Sequence, residues 1–363
     1  MSSPIPKPGI LDISPYVGGE SEIKGVDRVI KLASNEGALG PSPKAMEAYA
    51  KEAATLHRYP DGSASKLRSA LAAAYGLDMN RIVCGSGSDE LLDMLARAYA
   101  GPGDEVLYTQ HGFLMYPIAA MGVGATPVAV AEKNLHADVD ALLERACDKT
   151  KILFLANPNN PTGTYLPDSE IRRLREGLPD HVLLVIDAAY AEYVTRNDYS
   201  SGSQLVDEYD NVVMTRTFSK IFALGGVRLG WAYCPASVAD ILNRLRGPFN
   251  VTSPALAAGL AALGDIAFTD EVRMHTAKWF DWTKEQLIGL GLEVPSEVGN
   301  FLLVRFPDAK KHPAEAADDF LKSKGLIVRR MAGYGLPDCL RMTIGREDEM
   351  RPLVEALKEF LSS

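Results

Sequence analysis

Short apolar runs recur along the first part of the chain, and segments with the residue spacing of helices separate them. The runs lie at residues 81–84, 105–108, 126–130, 151–156, 181–187 and 211–216. Runs of this length between helices are typical of strands that are buried on both faces of a mostly parallel sheet. The pattern therefore predicts an α/β fold with a three-layer α/β/α arrangement.

The chain divides into three segments by composition and pattern. Residues 1–42 begin with a stretch rich in Pro, Gly and Ser, which favours an extended arm and a link that joins a small domain. Residues 43–247 contain the apolar runs and form the predicted large domain. Residues 248–363 predict a small α+β domain, with a helical stretch at 255–290, strands at 301–305, 327–329 and 340–344, and a terminal helix at 347–361.

Charge and composition exclude several classes of protein. The formal net charge is -9, which argues against a surface that binds nucleic acid. The cysteines lie far apart and the histidines show no HExxH pairing, so we expect neither a disulfide framework nor a metal site. No apolar run is long enough to cross a bilayer, and the first residues lack the apolar core of a secretion signal. We expect a cytoplasmic enzyme or binding protein that has no contact with membranes.

A lysine follows the apolar run at residues 211–216. Lys220 comes after Thr217 and Ser219, and Arg228 lies a short distance downstream. An amine in this setting can condense with an aldehyde, while a hydroxyl and a guanidinium hold a phosphate nearby. An isolated lysine at such a place would instead be interpreted as a solvated loop residue.

Two further runs end in polar side chains. Asp187 closes the run at 181–187, where the carboxyl ends of parallel strands bind ligands and an acid can pair with a protonated ring nitrogen. Asn157 follows the run at 151–156 and can donate a hydrogen bond to a phenolate oxygen. The alternatives are a helix N-cap for Asp187 and a plain Asx turn for Asn157.

A fourth run ends in a small-residue turn. Gly85, Ser86 and Gly87 precede a helical segment, where backbone N–H groups can bind an anion. A Gly-Ser-Gly turn alone is weak support for a phosphate site. Together, the four strand ends supply a phosphate site, ring hydrogen bonds, a pyridinium partner and a lysine, which are the parts of a pyridoxal-phosphate (PLP) site.

The ordered motifs resemble those of fold-type I, class I/II aminotransferases over nearly the whole chain. They are Asn157-Pro158 with Pro161-Thr162-Gly163, then Asp187 with Tyr190, Ser219-Lys220 and Arg228. Within that class the chain is most similar to the histidinol-phosphate aminotransferase branch. The stretches that carry this similarity are Ser14-Pro15-Tyr16, Leu32 to Asn35-Glu36, Gly40-Pro41-Ser42-Pro43, Arg58-Tyr59-Pro60-Asp61-Gly62, and Tyr334-Gly335-Leu336-Pro337-Asp338 with Leu340-Arg341.

The resemblance implies a role for each matched position at the cofactor. Lys220 would carry PLP as a Schiff base and later move the substrate's α-proton, and Asp187 would keep the ring nitrogen protonated. Tyr190 and Asn157 would bind the ring's phenolic oxygen, and Phe113 would stack on the ring. The phosphate would lie among Gly85, Ser86, Gly87, Thr217, Ser219 and Arg228. Tyr59 is expected to reach the cofactor of a neighbouring subunit, which implies a homodimer.

The resemblance also implies how substrates are held. Arg341 would bind the α-carboxylate, with Arg329 as a second cation, and a pair of arginines suits both carboxylate and phosphate. Tyr16 is expected to close over the substrate, and Asn35 and Asn157 to line its pocket. The implied reaction interconverts histidinol phosphate and 2-oxoglutarate with imidazole acetol phosphate and glutamate. Arg330 is instead expected to be a surface ion-pair partner.

Two departures from the family pattern leave other functions open. Gly37-Ala38 stands where Asn-Pro is expected, and His111-Gly112-Phe113 stands where Pro-Thr-Tyr is expected. Phenylalanine still stacks but lacks the hydroxyl, which keeps an aromatic amino-acid aminotransferase as an alternative, with threonine-phosphate decarboxylase behind it. A PLP-fold sensor domain without turnover is a further alternative, although the retained Lys220 and Asp187 favour an enzyme.

Overall fold

The computed structural model describes residues 4–7, 9–16, 18–23, 25 and 28–363. The remainder of the predicted N-terminal arm lies outside the described residues, at positions 1–3, 8, 17, 24, 26 and 27. The described part of the arm contains a short 3-10 helix, Ile10–Asp12.

Strands and helices alternate through most of the chain. The strands are β1 (Ile30–Lys31), β2 (Ile82–Gly85), β3 (Glu105–Thr109), β4 (Thr126–Val130), β5 (Glu132–Lys133), β6 (His136–Ala137), β7 (Thr150–Ala156), β8 (Leu183–Asp187), β9 (Val212–Thr217), β10 (Gly230–Tyr233), β11 (Phe301–Arg305), β12 (Leu326–Ile327), β13 (Arg329–Arg330) and β14 (Cys339–Thr343). The helices are α1 (Pro43–Lys51), α2 (Ser65–Tyr75), α3 (Ser88–Tyr99), α4 (Met115–Gly122), α5 (Val139–Arg145), α6 (Asp168–Gly177), α7 (Ser203–Glu208), α8 (Ala236–Leu245), α9 (Ser253–Leu263), α10 (Ile266–Gly289), α11 (Ala314–Ser323) and α12 (Glu347–Ser362).

A seven-stranded sheet organises the larger part of the molecule, in the order β2-β10-β9-β8-β7-β3-β4. Neighbouring strands from β9 to β4 run parallel, whereas β10 is antiparallel to both β2 and β9. Successive side chains of a strand point to opposite faces. In β8, Leu184 and Ile186 accordingly enter one core, and Leu183 and Val185 enter another. The inner strands β7, β8 and β9 are thus buried on both faces, as their apolar sequences predicted, whereas the edge strand β4 is partly exposed.

Helices cover each face of this sheet. The core on one side takes apolar side chains from α1, α2, α5, α6, α7 and α9, and the core on the other side takes them from α3, α4 and α8. In α3 the spacing of Leu91, Leu92 and Leu95 directs all three side chains into the second core. The predicted three-layer α/β/α arrangement with a mostly parallel sheet is therefore confirmed.

The C-terminal part forms its own smaller unit. Its antiparallel sheet has the order β11-β14-β13. A separate core joins this sheet to three helices and contains Trp279, Leu302, Leu321, Leu340 and Leu353. Strand β1 pairs in parallel with β12, so the chain after residue 28 is attached to this unit before it enters α1. The domain boundaries at residues 42 and 247 stay predictions, and α9 packs into the core of the large sheet.

The helical stretch predicted over residues 255–290 is confirmed, but it consists of two helices, α9 and α10, with a break at Gly264 and Asp265. The Asp265 carboxylate accepts a 2.7 Å hydrogen bond from Lys44 Nζ and a second from the Ser42 hydroxyl. Both partners belong to the start of α1. The break between the two helices therefore coincides with a contact between distant parts of the chain, which the helical spacing of the sequence does not reveal.

Two strands also differ from the prediction. The single strand expected at 327–329 is two short strands, because β12 pairs with β1 whereas β13 pairs with β14. Strand β10 was not predicted, and it enters the large sheet between two strands that are distant in sequence. Within the part of the chain that the structure describes, no helix is long and apolar enough to cross a membrane.

Candidate active site

A cavity of about 390 Å³ lies where the carboxyl ends of the central strands meet the C-terminal unit. Parallel strands bring their carboxyl ends to one edge, and this is where open α/β sheets bind ligands. The predicted residues that line the cavity are Tyr16, Asn35, Phe113, Asp187, Tyr190, Thr217, Ser219, Lys220, Arg228, Arg329 and Arg341.

Lys220 follows β9 at the edge of the sheet, and its amine is buried. Burial lowers the pKa of Lys220 to about 8, and the nearby positive charge of Arg341 acts in the same direction. Its Nζ lies 5.6 Å from the centre of the Tyr190 ring. A larger fraction of this amine is therefore uncharged near neutral pH than for an ordinary lysine, as a nucleophile requires.

Asp187 ends β8 and directs its carboxylate into the same cavity. Its Oδ2 accepts a 2.9 Å hydrogen bond from the Tyr116 hydroxyl, and its Oδ1 accepts a 3.3 Å bond from Thr215 Oγ1. Burial raises the pKa of Asp187 to about 6, while both hydroxyl donors counteract this effect. The 3-10 helix that follows is capped by Tyr190 and not by Asp187, so the helix N-cap alternative is wrong.

Tyr190 and Asn35 form a hydrogen-bonded pair in the cavity wall. The Asn35 side chain donates from Nδ2 to the Tyr190 hydroxyl at 2.8 Å, and the Asn35 backbone N–H donates to Thr343 Oγ1 at 2.9 Å. Asn35 has a φ of 54°, a left-handed conformation that asparagine tolerates better than most residues. Burial raises the pKa of Tyr190 to about 12. The tyrosine therefore stays protonated and can donate a hydrogen bond into the cavity.

Asn157 is buried beside the cavity but does not line it. Its side chain forms a reciprocal pair with the backbone of Leu166, donating to the carbonyl at 3.0 Å and accepting from the N–H at 2.8 Å. The partner is distant along the chain, so the side chain does not form a simple Asx turn. Leu166 takes one of the two amide N–H groups, and the expected bond from Asn157 to a phenolic oxygen stays a prediction.

A cation and two hydroxyls cluster at the end of β9. Thr217 Oγ1 donates to Ser219 Oγ at 3.0 Å, and Arg228 Nη1 approaches Ser219 Oγ at 3.4 Å. Arg228 Nη2 also donates to Asp89 Oδ2 at 3.1 Å. A Cβ atom at Gly87 would lie 2.4 Å from Arg228 Nη2, so only glycine allows this guanidinium to approach the turn. The cluster has the donors that a phosphate needs.

The start of α3 completes this end of the cavity with residues that the sequence analysis missed. Ser88 and Asp89 line the cavity, whereas the predicted Gly85, Ser86 and Gly87 do not. The Ser86 N–H is already bound to Glu90 Oε2 at 2.6 Å, and the Ser86 hydroxyl bonds the Asn250 carbonyl. The sequence analysis recognised an anion site at this helix start but assigned it to the small-residue turn, although the free N–H groups of a helix include those of its first residues.

Two arginines occupy the opposite end of the cavity. Arg341 of β14 and Arg329 of β13 are register partners in the small sheet. Arg341 is buried, donates to the Ala33 carbonyl at 2.9 Å and also bonds Asn160 Oδ1. Its Nε is buried without a hydrogen-bond partner among the described residues. Such an orphaned donor beside the cavity fits a site for a carboxylate or a phosphate.

Other predicted residues take distinct positions around this site. Tyr16 of the arm is half exposed and borders the cavity, as expected for a residue that closes over a substrate. Tyr59 is 82% exposed, stacks on Phe249 and does not line the cavity, so its role toward a second subunit stays a prediction. Arg330 bonds Glu315, Asp318 and Asp319, which confirms it as an ion-pair partner.

The residues present fit PLP. A buried amine, a buried carboxylate with two fixed donors, and a cation with two hydroxyls surround one cavity. The amine matches the aldehyde of PLP, the carboxylate matches its ring nitrogen, and the cation with the hydroxyls matches its phosphate. Among the described residues, no group of His, Cys, Asp and Glu side chains could hold a metal ion.

Comparisons with known proteins agree with this fit. The chain is 63% identical to the histidinol-phosphate aminotransferase of Paramagnetospirillum magneticum over 363 residues, which is 100% of each chain. It is 58% identical to that of Rhodospirillum rubrum, covering 99% of this chain and 97% of the relative. The solved histidinol-phosphate aminotransferase of Sinorhizobium meliloti, in complex with pyridoxal-5'-phosphate, superposes with a TM-score of 0.91 at 27% identity over 99% of both chains.

The family model for aminotransferase class I and II matches residues 27–357, which include every motif that suggested the resemblance downstream of the arm. The family expected from the sequence is confirmed. On the match to this model and on the 63% identity over the whole chain, the protein belongs to the class I and II aminotransferases.

Proposed function

We propose that this chain is a PLP-dependent aminotransferase that interconverts histidinol phosphate and 2-oxoglutarate with imidazole acetol phosphate and glutamate. The observation that carries the proposal is that Lys220, Asp187 and the arginine pair border one cavity. One space therefore combines a nucleophilic amine with a site for a ring nitrogen and a site for an anionic substrate group. Relatives that share more than half of the sequence over the full length are histidinol-phosphate aminotransferases.

Bound PLP supplies an electrophilic aldehyde and a protonated ring that accepts electrons from the substrate's α-carbon. The Asp187 carboxylate would hold the proton at the ring nitrogen. Tyr190 would donate a hydrogen bond to the phenolic oxygen, and the second amide N–H of Asn157 is the donor that the resemblance assigns to the same atom. Lys220 Nζ would hold the cofactor through its aldehyde and would move the proton at the substrate's α-carbon.

The cluster at the end of β9 would hold the cofactor's phosphate. Arg228 and Ser219 would bind its oxygens, together with the first N–H groups of α3. Phe113 borders the cavity at the position that the family uses for stacking. Residues that hold both the ring and the phosphate would restrict the orientation of the reacting groups relative to Lys220.

The arginine pair explains how one pocket accepts two amino donors. Glutamate offers a carboxylate and histidinol phosphate offers a phosphate, and a guanidinium binds either of them with parallel hydrogen bonds. Burial lowers the pKa of Arg341, yet a guanidinium remains charged in proteins. Tyr16 would cover the bound substrate from the arm.

We also propose that the enzyme is a cytoplasmic homodimer. Met46, Tyr49, Leu56 and Tyr59 are large apolar side chains near the start of the large unit, and each is about half exposed or more. An exposed apolar surface of this kind is typical of a contact between proteins. A second copy in this place would bring Tyr59 toward the neighbouring cavity. The four free cysteines fit a reducing compartment.

The substrate assignment is tested by single half-reactions. The protein loaded with PLP is mixed separately with histidinol phosphate, glutamate, phenylalanine and threonine phosphate, and the cofactor absorbance is followed. We expect fast spectral conversion with histidinol phosphate and glutamate and much slower conversion with phenylalanine. Faster conversion with phenylalanine would make the enzyme an aromatic aminotransferase, and release of carbon dioxide from threonine phosphate would make it a decarboxylase.

Replacing the lysine tests the covalent attachment. Lys220→Ala should still bind PLP through Asp187 and the phosphate site but lose turnover, because no amine remains to move the α-proton. Borohydride reduction followed by mass spectrometry should find PLP attached to the unaltered protein and not to the variant. The exposed Lys358→Ala serves as the matched control. Near-normal turnover by Lys220→Ala would refute the assignment.

The low pKa of the lysine predicts how cofactor capture depends on pH. The uncharged amine attacks the aldehyde, so the rate at which the apoprotein binds PLP covalently should rise with pH and level off above about 8. With an ordinary lysine, the midpoint of this rise in rate would lie near pH 10.5. Stopped-flow absorbance across this range measures the rate, and a midpoint near the ordinary value would contradict the buried environment of Lys220.

Substitution of one arginine tests the substrate end. Arg341→Lys keeps the charge but loses the paired donors, and a lost hydrogen bond to a charged group costs about 1.5–3 kcal/mol. The KM for both glutamate and histidinol phosphate should therefore rise roughly tenfold or more. Arg330→Lys is the control, because Arg330 lies on the neighbouring strand but pairs with acids outside the cavity. This variant should leave the KM for both substrates near that of the unaltered protein. Equal effects in the two variants would exclude Arg341 from substrate binding.

A further inference from the structure

Tyr116 holds the carboxylate that faces the cavity, although the sequence analysis gave it no role. It lies in the first turn of α4, is fully buried, and donates from its hydroxyl to Asp187 Oδ2 at 2.9 Å. Thr215 approaches the other oxygen, Oδ1, at 3.3 Å. The Tyr116 hydroxyl is therefore the closer of these two side-chain donors.

The ring of Tyr116 has little freedom to turn its hydroxyl elsewhere. It stacks on Phe154 with the ring centres 4.9 Å apart and an angle of 11°. Phe113 and Tyr108 meet it edge to face, at 5.9 Å and 6.5 Å between centres. A donor fixed on three sides in turn fixes the direction of the carboxylate it binds. The contact with Phe113 also links this ring to the side chain expected to stack on the cofactor.

The charges at this contact favour donation by tyrosine and acceptance by aspartate. Burial and the negative charge of Asp187 raise the pKa of Tyr116 well above its ordinary value, so its hydroxyl keeps the proton. Burial raises the pKa of Asp187 to about 6, and the bond from Tyr116 opposes that rise. A hydrogen bond to the charged form favours that form. Without Tyr116, the buried carboxylate would take up a proton more readily.

We propose that Tyr116 is a positioning residue that acts through Asp187, orienting the carboxylate and keeping it negative so that a ring nitrogen bound there stays protonated. This inference rests on the proposed function, since it takes PLP as the molecule in the cavity. If the carboxylate loses this donor, the proton shared between carboxylate and ring nitrogen shifts toward the carboxylate. The ring then withdraws electrons less strongly, and turnover slows.

A role in packing alone is the competing explanation, because Tyr116 also belongs to the core between the sheet and α3. The two roles differ in what they do to the ring nitrogen. A residue that only fills space affects any ligand of the cavity alike. A residue that acts through Asp187 affects ligands that have a basic ring nitrogen and spares those that lack it.

The test compares PLP with its analogue in which a carbon replaces the ring nitrogen, both titrated against apoprotein. Tyr116→Phe removes the hydroxyl and keeps the stacked ring. The variant should bind PLP about tenfold more weakly, because one hydrogen bond to a charged group is lost. Its affinity for the analogue should be unchanged. With PLP labelled with ¹⁵N in the ring, the nitrogen resonance should move toward that of unprotonated pyridine. In turnover, kcat should fall while KM changes little.

Tyr108→Phe is the matched control, since it removes a hydroxyl from the same aromatic cluster without touching Asp187, and it should change none of these quantities. Incorporation of 3-fluorotyrosine at position 116, a stronger donor, should move the ¹⁵N resonance in the direction opposite to Tyr116→Phe. Equal weakening of PLP and its analogue, or an unchanged ¹⁵N resonance, would overturn the inference alone. Failure of the unaltered protein to bind PLP would overturn the proposed function as well.

Discussion

The parallel pairing of β7, β8 and β9 is the constraint on which the site depends. The register places Asp187 beside Ala156 on one side and beside Thr215 on the other. All three strands end at one edge, so the chain that continues from each of them enters the same space. Lys220 and Asp187 come together for this reason, although they are distant in sequence. The buried apolar strands therefore fix the distances that the chemistry needs, and the loops beyond them carry the functional groups.

Burial has opposite consequences for the two charged groups at the base of the cavity. Removal from water lowers the pKa of Lys220 and raises that of Asp187, because in each case the charged form loses hydration. For the lysine this change favours the nucleophile. For the aspartate it would remove the charge that the proposed pairing with a protonated ring nitrogen uses, and the structure supplies two hydroxyl donors that oppose this loss. The same low-polarity environment thus serves both groups only because one of them is hydrogen-bonded.

The site also depends on contact between the large sheet and the C-terminal unit. Arg341 belongs to β14, yet it bonds the Ala33 carbonyl in the segment that connects β1 to α1. Asn300 donates from its side chain to the Asn35 carbonyl, and Asn35 in turn donates to Tyr190. This chain of hydrogen bonds ties the substrate end of the cavity to the end of β8. A change in how the units pack would therefore alter the distance between the arginines and Lys220.

The sequence by itself determined the layered α/β fold and predicted several of the polar groups that line the cavity, because apolar runs are local signals and four of the six runs are followed by polar or small residues. Lys220, Asp187, Tyr190 and Arg228 all lie on the cavity where the motifs predicted them. Only the tertiary structure decided what supports these groups. Tyr116 donates a hydrogen bond to Asp187, and Asn35 donates one to Tyr190. Ser88 and Asp89 line the cavity wall where the glycine turn was expected. The antiparallel β10 and the break between α9 and α10 belong to the same category. Each depends on partners far along the chain, and neither periodicity nor spacing contains information about such contacts.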